Sequence, residues 1–138
     1  MKKRMLFLDD RTRRIHSALR QFAGEYDVTI ATNTKECLRA LSSQNWEVVS
    51  LDHDLRGVDF EDPDSPECGM EVVRYLGKTG WPEGKPKPVF KVHSSNIFAA
   101  DLMILSLRKI GLSAFYDRFV YDDEPKNMKY DEKGLHIP

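Results

Sequence analysis

Residues 4–10 read Arg-Met-Leu-Phe-Leu-Asp-Asp, and residues 46–54 read Trp-Glu-Val-Val-Ser-Leu-Asp-His-Asp. Each is a short apolar run that stops on acid. Such a run, bounded by polar residues, reads as a buried strand. The first predicts a strand over 4–8 that delivers Asp9 and Asp10. The second predicts a strand over 46–51 that delivers Asp52, His53 and Asp54. Two more stretches end on polar clusters. Residues 88–92 lead into His93, Ser94, Ser95 and Asn96, and residues 113–121 lead into Asp122, Asp123, Glu124 and Pro125. The β-branched stretch from Tyr26 to Thr32 supplies the remaining strand.

Helical patterns fill the gaps. Thr12 to Phe22 places Ile15, Leu19 and Phe22 at helical spacing, with Arg13, Arg14 and Arg20 elsewhere on the wheel, and Gly24 closes it. Thr34 is a cap for a helix carrying Cys37, Leu38 and Leu41. Residues 69–76 set Met70, Val73 and Leu76 on one face, and residues 97–110 form a mostly apolar helix capped by Gly111. The order β-α-β-α-β-α-β-α-β requires parallel pairing, hence an α/β three-layer sandwich with a five-stranded parallel sheet. A strand order of 2-1-3-4-5 sets Asp9 and Asp10 beside Asp52. Ligands of such sheets bind outside the carboxyl ends of the strands, where these polar clusters fall.

The length of 138 residues fits one domain, expected over 1–124, with a polar tail over 125–138 that shows no helical period. Hydrophobic residues at 41%, charged residues at 31% and a net charge of −1 describe an ordinary globular chain without a strong nucleic-acid patch or a membrane-seeking surface. The apolar run at 5–8 is too short for a secretory signal, and no stretch approaches a membrane span, so a cytoplasmic protein is expected. Cys37 and Cys68 lack metal-ligand spacing and read as reduced thiols. Phe90, Phe98, Phe115 and Phe119 are expected in the core.

Adjacent carboxylates repel unless a cation or an arginine offsets them. Asp9, Asp10 and Asp52 converging on one crevice suit a hard divalent cation, Mg²⁺ or Mn²⁺. The bland alternative makes Asp10 a helix cap. Asp52 can be nucleophile, metal ligand or both, and Asp54 an acid/base group. His53, alternating with them, points to the opposite side on an extended strand end and reads equally as a loop-stabilising residue. An imidazole's ordinary pKa lies near neutrality, which suits His93 to acid/base work. Ser94, Ser95 and Asn96 at a helix start can cap it, cradle a phosphate, or both. Arg11 and Arg56 are candidate charge partners. The acidic run 59–67 reads as a loop that could cover Asp52, whereas His16 and His136 have no evident partner.

Four segments together resemble the cyclic-phosphate-processing receiver domains: Leu-Asp-Asp-Arg (8–11), Ser-Leu-Asp-His-Asp-Leu (50–55), Gly-Met-Glu-Val-Val (69–73) and Val-His-Ser-Ser-Asn (92–96). The resemblance covers residues 4–121 and implies a receiver/flavodoxin-like fold. It makes Asp9 and Asp10 the acidic pair that holds Mg²⁺, and Asp52 the match to the receiver phospho-acceptor. His93 falls where receivers place Thr or Ser, with Ser94 next. It implies a cyclic-phosphate nucleotide or RNA end as ligand and, by the pairing habit of receiver folds through strands four and five, a homodimer. One departure stands out: receivers carry a lysine after strand five, and here that region reads Tyr121-Asp122-Asp123-Glu124-Pro125. The usual last helix is also absent or replaced by the tail. Ordinary phosphorelay chemistry is therefore disfavoured, and a metal-dependent phosphoesterase is the leading expectation. A non-catalytic receiver-like binding or signalling module is the second. A third, a haloacid-dehalogenase-like phosphatase, takes Asp52, Asp54, Ser94, Asp122 and Asp123 as its motifs but gives Asp9 and Asp10 no role.

Overall fold

The computed structural model describes residues 2–55, 61–117, 129–130 and 136–137. Strands β1 (Lys3–Leu8), β2 (Tyr26–Ala31), β3 (Val48–Leu51), β4 (Val89–Val92) and β5 (Ala114–Tyr116) alternate with helices α1 (Thr12–Phe22), α2 (Thr34–Ser43), α3 (Met70–Thr79) and α4 (Ile97–Lys109). The sheet is parallel throughout, in the order β2-β1-β3-β4-β5. This is the receiver/flavodoxin-like arrangement. Two short strands, β6 (Lys129–Tyr130) and β7 (His136–Ile137), pair antiparallel within the C-terminal segment.

Alternation along the strands divides the core in two. Leu6, Leu8, Val49, Leu51, Phe90 and Val92 face the larger cluster, which Cys37, Leu41, Val73, Leu76, Met103 and Leu107 complete from α2, α3 and α4. Phe7 turns the other way, against Ala18 of α1, with Phe22, Val28 and Ile30 around them. At ~25 cal/mol per Å² of buried apolar surface, the first face supplies most of the hydrophobic stabilisation.

Three local expectations are corrected. The cap of α2 is Asn33, whose side chain accepts from the Glu36 N–H at 2.9 Å, and Thr34 is the first helical residue. In α1 the buried face carries Arg14, Ser17 and Ala18, while Leu19 is exposed. Phe90 is buried as expected, but Phe98 is 73% exposed and Phe115 48% exposed; Phe119 lies outside the described residues. Helix α4 is apolar around nearly its whole circumference, so spacing alone could not tell that Ala99, Ala100, Met103, Ile104 and Leu107 face inward.

No helix among the described residues is long and apolar enough to cross a membrane. Arg56, residues 59–60 of the acidic loop, the end of the expected fifth strand over 118–121, and Asp122 to Pro125 also lie outside the description.

Candidate functional site

The sheet register sets the site. Leu8 pairs with Leu51, Leu51 with Val92 and Val92 with Tyr116. The next residue of each strand is therefore Asp9, Asp52, His93 and Asp117, one row across the carboxyl edge. Backbone bonds extend the ladder into this row: Asp52 N–H to Leu8 O at 3.0 Å, His93 N–H to Leu51 O at 3.0 Å, and Asp117 N–H to Val92 O at 2.8 Å. Asp117 was missed because the fifth strand was expected to run to Tyr121, five residues beyond its end at Tyr116.

Asp9, Asp52 and His93 come together, each fully buried, with donor atoms within 4.8 Å of one another. His93 Nε2 lies 3.1 Å from Asp9 Oδ2, and its Nδ1 lies 2.7 Å from Ser50 Oγ. Phe7 stacks flat on the imidazole, with centroids 4.4 Å apart and planes 3° from parallel. An ionised carboxylate only accepts, so the Nε2 that faces Asp9 is the donor of that pair, and the Ser50 hydroxyl pairs with Nδ1. The ring plane is held, and both ring nitrogens are engaged.

Asp9 Oδ1 accepts the Arg11 N–H at 2.9 Å. Asp52 Oδ1 accepts the His53 N–H at 2.8 Å, whereas Asp52 Oδ2 is buried without a hydrogen-bond partner. Burial, and after it the charge of Asp9, hold the Asp52 carboxyl well above the usual carboxylate range. The Arg14 guanidinium and the His53 N–H pull the other way. Arg14 Nη1 stands 3.6 Å from Asp52 Oδ1 and 3.8 Å from Asp9 Oδ2. Its position on α1 was read as outward because apolar counting assigned the helix face. No residue-type signal marks it.

Asp10, the residue after Asp9, is half-buried and is not among the three whose donor atoms cluster. Asp10 also does not cap α1; its N-cap is Arg11, which makes no side-chain capping bond.

His53 and Asp54 do not point to opposite sides. The chain bends after β3, and His53 Nδ1 meets Asp54 Oδ1 at 2.8 Å. The same Asp54 oxygen accepts from Glu61 N–H at 2.9 Å and Asn96 Nδ2 at 3.2 Å. Burial works against a charged His53, but the bond to Asp54 and the neighbouring Cys68 outweigh it and raise the imidazole to about 9. These contacts tie the end of β3 to the following loop and to the start of α4.

Gly69 completes that brace. Its N–H donates to His53 O at 2.8 Å, and a Cβ there would lie 1.8 Å from Asp52 O. Only glycine permits this approach. Arg74 secures the loop beyond, through its bonds to the carbonyls of Pro63 and Ser65 and its pairing with Glu71.

At the start of α4, Asn96 caps the helix by accepting the Ala99 N–H at 3.3 Å, and Ser94 Oγ accepts the Asn96 N–H at 3.0 Å. Ser94 and Asn96 are thus engaged in capping. Ser95, half-buried, accepts from Arg14 Nη2 at 3.1 Å.

Two buried carboxylates, one of them with an oxygen that has no hydrogen-bond partner, form a donor set that fits a divalent cation with oxygen preference. Their proximity is otherwise costly, since like charges removed from water repel strongly.

The architecture recurs in known receivers. A response regulator from Burkholderia pseudomallei, solved with a phosphorylated aspartic acid, calcium ion and citrate, superposes with a TM-score of 0.60 at 18% identity, over 86% of this chain and 61% of its own. The Thermotoga maritima response regulator TrrA, in complex with Mg²⁺-BeF, gives 0.58 at 21% identity over 84% of each chain. DrrB from the same organism, an OmpR/PhoB homologue, gives 0.55 at 16% identity. The match spans 85% of this chain but 45% of DrrB. At these identities the likeness establishes the fold. No curated protein sequence matches the chain. A family model does match, over residues 4–109, and it describes the cyclic-phosphate processing receiver domain. On that match, which takes in β1 through α4 and every residue of the buried cluster, the chain belongs to the cyclic-phosphate processing receiver domain family.

Proposed function

We propose that this domain is a metal-dependent phosphoesterase acting on the cyclic phosphate of a nucleotide or RNA end. The observation that carries the reading is the buried Asp9–Asp52–His93 cluster, in which an oriented histidine stands beside two carboxylates. Asp9 and Asp52 would hold Mg²⁺ or Mn²⁺, with Asp52 Oδ2 offering an oxygen that has no hydrogen-bond partner. The bound cation would neutralise phosphate oxygens and polarise the phosphorus–oxygen bond.

The remaining steps belong to the chain. Asp52 orients the attacking water. His93 gives its Nε2 proton to the ribose oxygen as that oxygen leaves phosphorus, and is reprotonated from the water that adds. Ser50 and Phe7 keep the ring in place for both transfers. Ser95 and Arg11 would contact the phosphate, while His53, Asp54, Ser94 and Asn96 would position the site through the bonds described above.

Turnover of a panel of 2′,3′-cyclic and 3′,5′-cyclic nucleotides with Mg²⁺ or Mn²⁺, followed by chromatography, tests the reading. Asp52→Asn and His93→Ala should each abolish metal-dependent opening. Binding of metal without any turnover would favour a non-catalytic receiver-like module.

A further inference from the structure

We propose that Arg14 is the phosphate-binding residue of this site, held on Asp9 and Asp52 while no metal is bound and turned to a phosphate oxygen beside Ser95 when a cation takes the carboxylates. The proposal rests on the metal and phosphate reading of the pocket given above and names a residue on α1, the element least expected to supply one.

Burying a guanidinium costs several kcal/mol unless charges and hydrogen bonds offset it, and Arg14 is only 3% exposed. Two of its counter-charges are the carboxylates of the cluster. The distances of 3.6 and 3.8 Å exceed the ~2.7–2.9 Å of a direct charge-assisted hydrogen bond. Both carboxylates have closer donors. Asp52 Oδ1 takes the His53 N–H at 2.8 Å, and Asp9 Oδ2 faces His93 Nε2 at 3.1 Å. Arg14 therefore balances the charge of the pair without being clamped to either member.

Its other hand reaches the place where a phosphate would arrive. Nη2 donates to Ser95 Oγ at 3.1 Å, bridging α1 to the turn before α4. Ser95 is the half-exposed residue of that turn, whereas Ser94 and Asn96 are buried and engaged in capping. A planar guanidinium matches two phosphate oxygens at once, which a lone hydroxyl cannot. A dication placed on Asp9 and Asp52 removes the attraction that holds Arg14 there and repels it from the same side. The released fork needs little movement to meet an anion held between the cation and Ser95.

The test uses the full chain in calorimetric titrations with Mg²⁺ alone, then with inorganic phosphate at saturating Mg²⁺. Arg14→Met should bind Mg²⁺ at least about threefold more tightly, because a competing positive charge is gone. It should bind phosphate at least about tenfold more weakly, the effect of losing charge-assisted hydrogen bonds. Arg14→Lys should return Mg²⁺ affinity toward the parent while recovering phosphate binding only in part, since a point charge lacks the fork. If Arg14→Met does not fold, Arg14→Lys carries the test: phosphate binding equal to the parent's overturns the proposal. Weaker Mg²⁺ binding in Arg14→Met, or unchanged phosphate binding in either variant, also overturns it, as does a parent that binds no phosphate with Mg²⁺ present. A parent that binds both, loses phosphate in Arg14→Met and turns nothing over would sustain the role of Arg14 while removing the phosphoesterase reading.

Discussion

Ser50 Oγ and His93 Nδ1 lie 2.7 Å apart, from neighbouring strands, so the hydroxyl two residues before Asp52 sets the orientation of the histidine. Ser50 is fully buried and has no reason of packing to be polar. Ser50→Ala should leave Nδ1 without its partner. Loss of a buried bond predicts about 1–2 kcal/mol of lost stability, and loss of an orienting partner predicts turnover lowered by about tenfold or more. Denaturant melts and initial rates check the two effects separately. Activity equal to the parent's would show that the ring needs no such anchor.

The raised Asp52 carboxyl predicts a pH dependence of stability. An acid whose folded pKa lies above its unfolded value favours the folded state while protonated. That advantage is complete at low pH and is lost as pH rises from about 3.9, the unfolded value, through the raised folded one. With metal chelated, Asp52→Asn should therefore be more stable than the parent at pH 7.5, by about 1–3 kcal/mol. The difference should shrink toward pH 4. Guanidinium melts across that range measure it, and a pH-independent difference would contradict the assignment. Saturating Mg²⁺ should raise the parent's midpoint and leave the Asn variant's nearly unmoved.

Gly69 allows the start of α3 to press on the backbone that carries Asp52. Gly69→Ala places a carbon 1.8 Å from Asp52 O, against main chain that cannot swing aside. The expected cost is about 2–4 kcal/mol, with weakened Mg²⁺ binding because Asp52 shifts with its carbonyl. Gly77→Ala is the control, since a Cβ there meets nothing within 4 Å. It should be neutral or slightly stabilising, because alanine favours the helix.

Both thiols are buried and free, and burial raises Cys37 to about 12. The thiolate is the reactive form. Native protein at pH 8 should therefore leave Cys37 unmodified by iodoacetamide over hours, while unfolded protein should react at both cysteines. Mass spectrometry of the alkylated chain distinguishes them. Rapid native labelling of Cys37 would place it at the surface.

The sequence by itself determined the sheet. Four apolar runs that stop on polar residues are local features. Strand length, alternation and helical spacing follow from neighbours a few residues apart. That was enough for the order of elements, the parallel pairing and the edge on which Asp9, Asp52 and His93 would gather. It also sufficed for the family resemblance, which rests on those same strand-end motifs. What a helix face meets is not local. Counting apolar positions turned Ile15 and Leu19 inward on α1, yet Arg14 is the residue that goes in, because the surface it meets is a pair of carboxylates. The same limit applies to α4, where an evenly apolar helix hides that Phe98 is on the exposed side. The meeting of His53 with Asp54 follows from a bend that strand alternation does not contain. Only the tertiary structure decided that His93, 84 residues from Asp9 in the chain, would hold it at 3.1 Å, because only folding sets the distance between charges far apart in sequence.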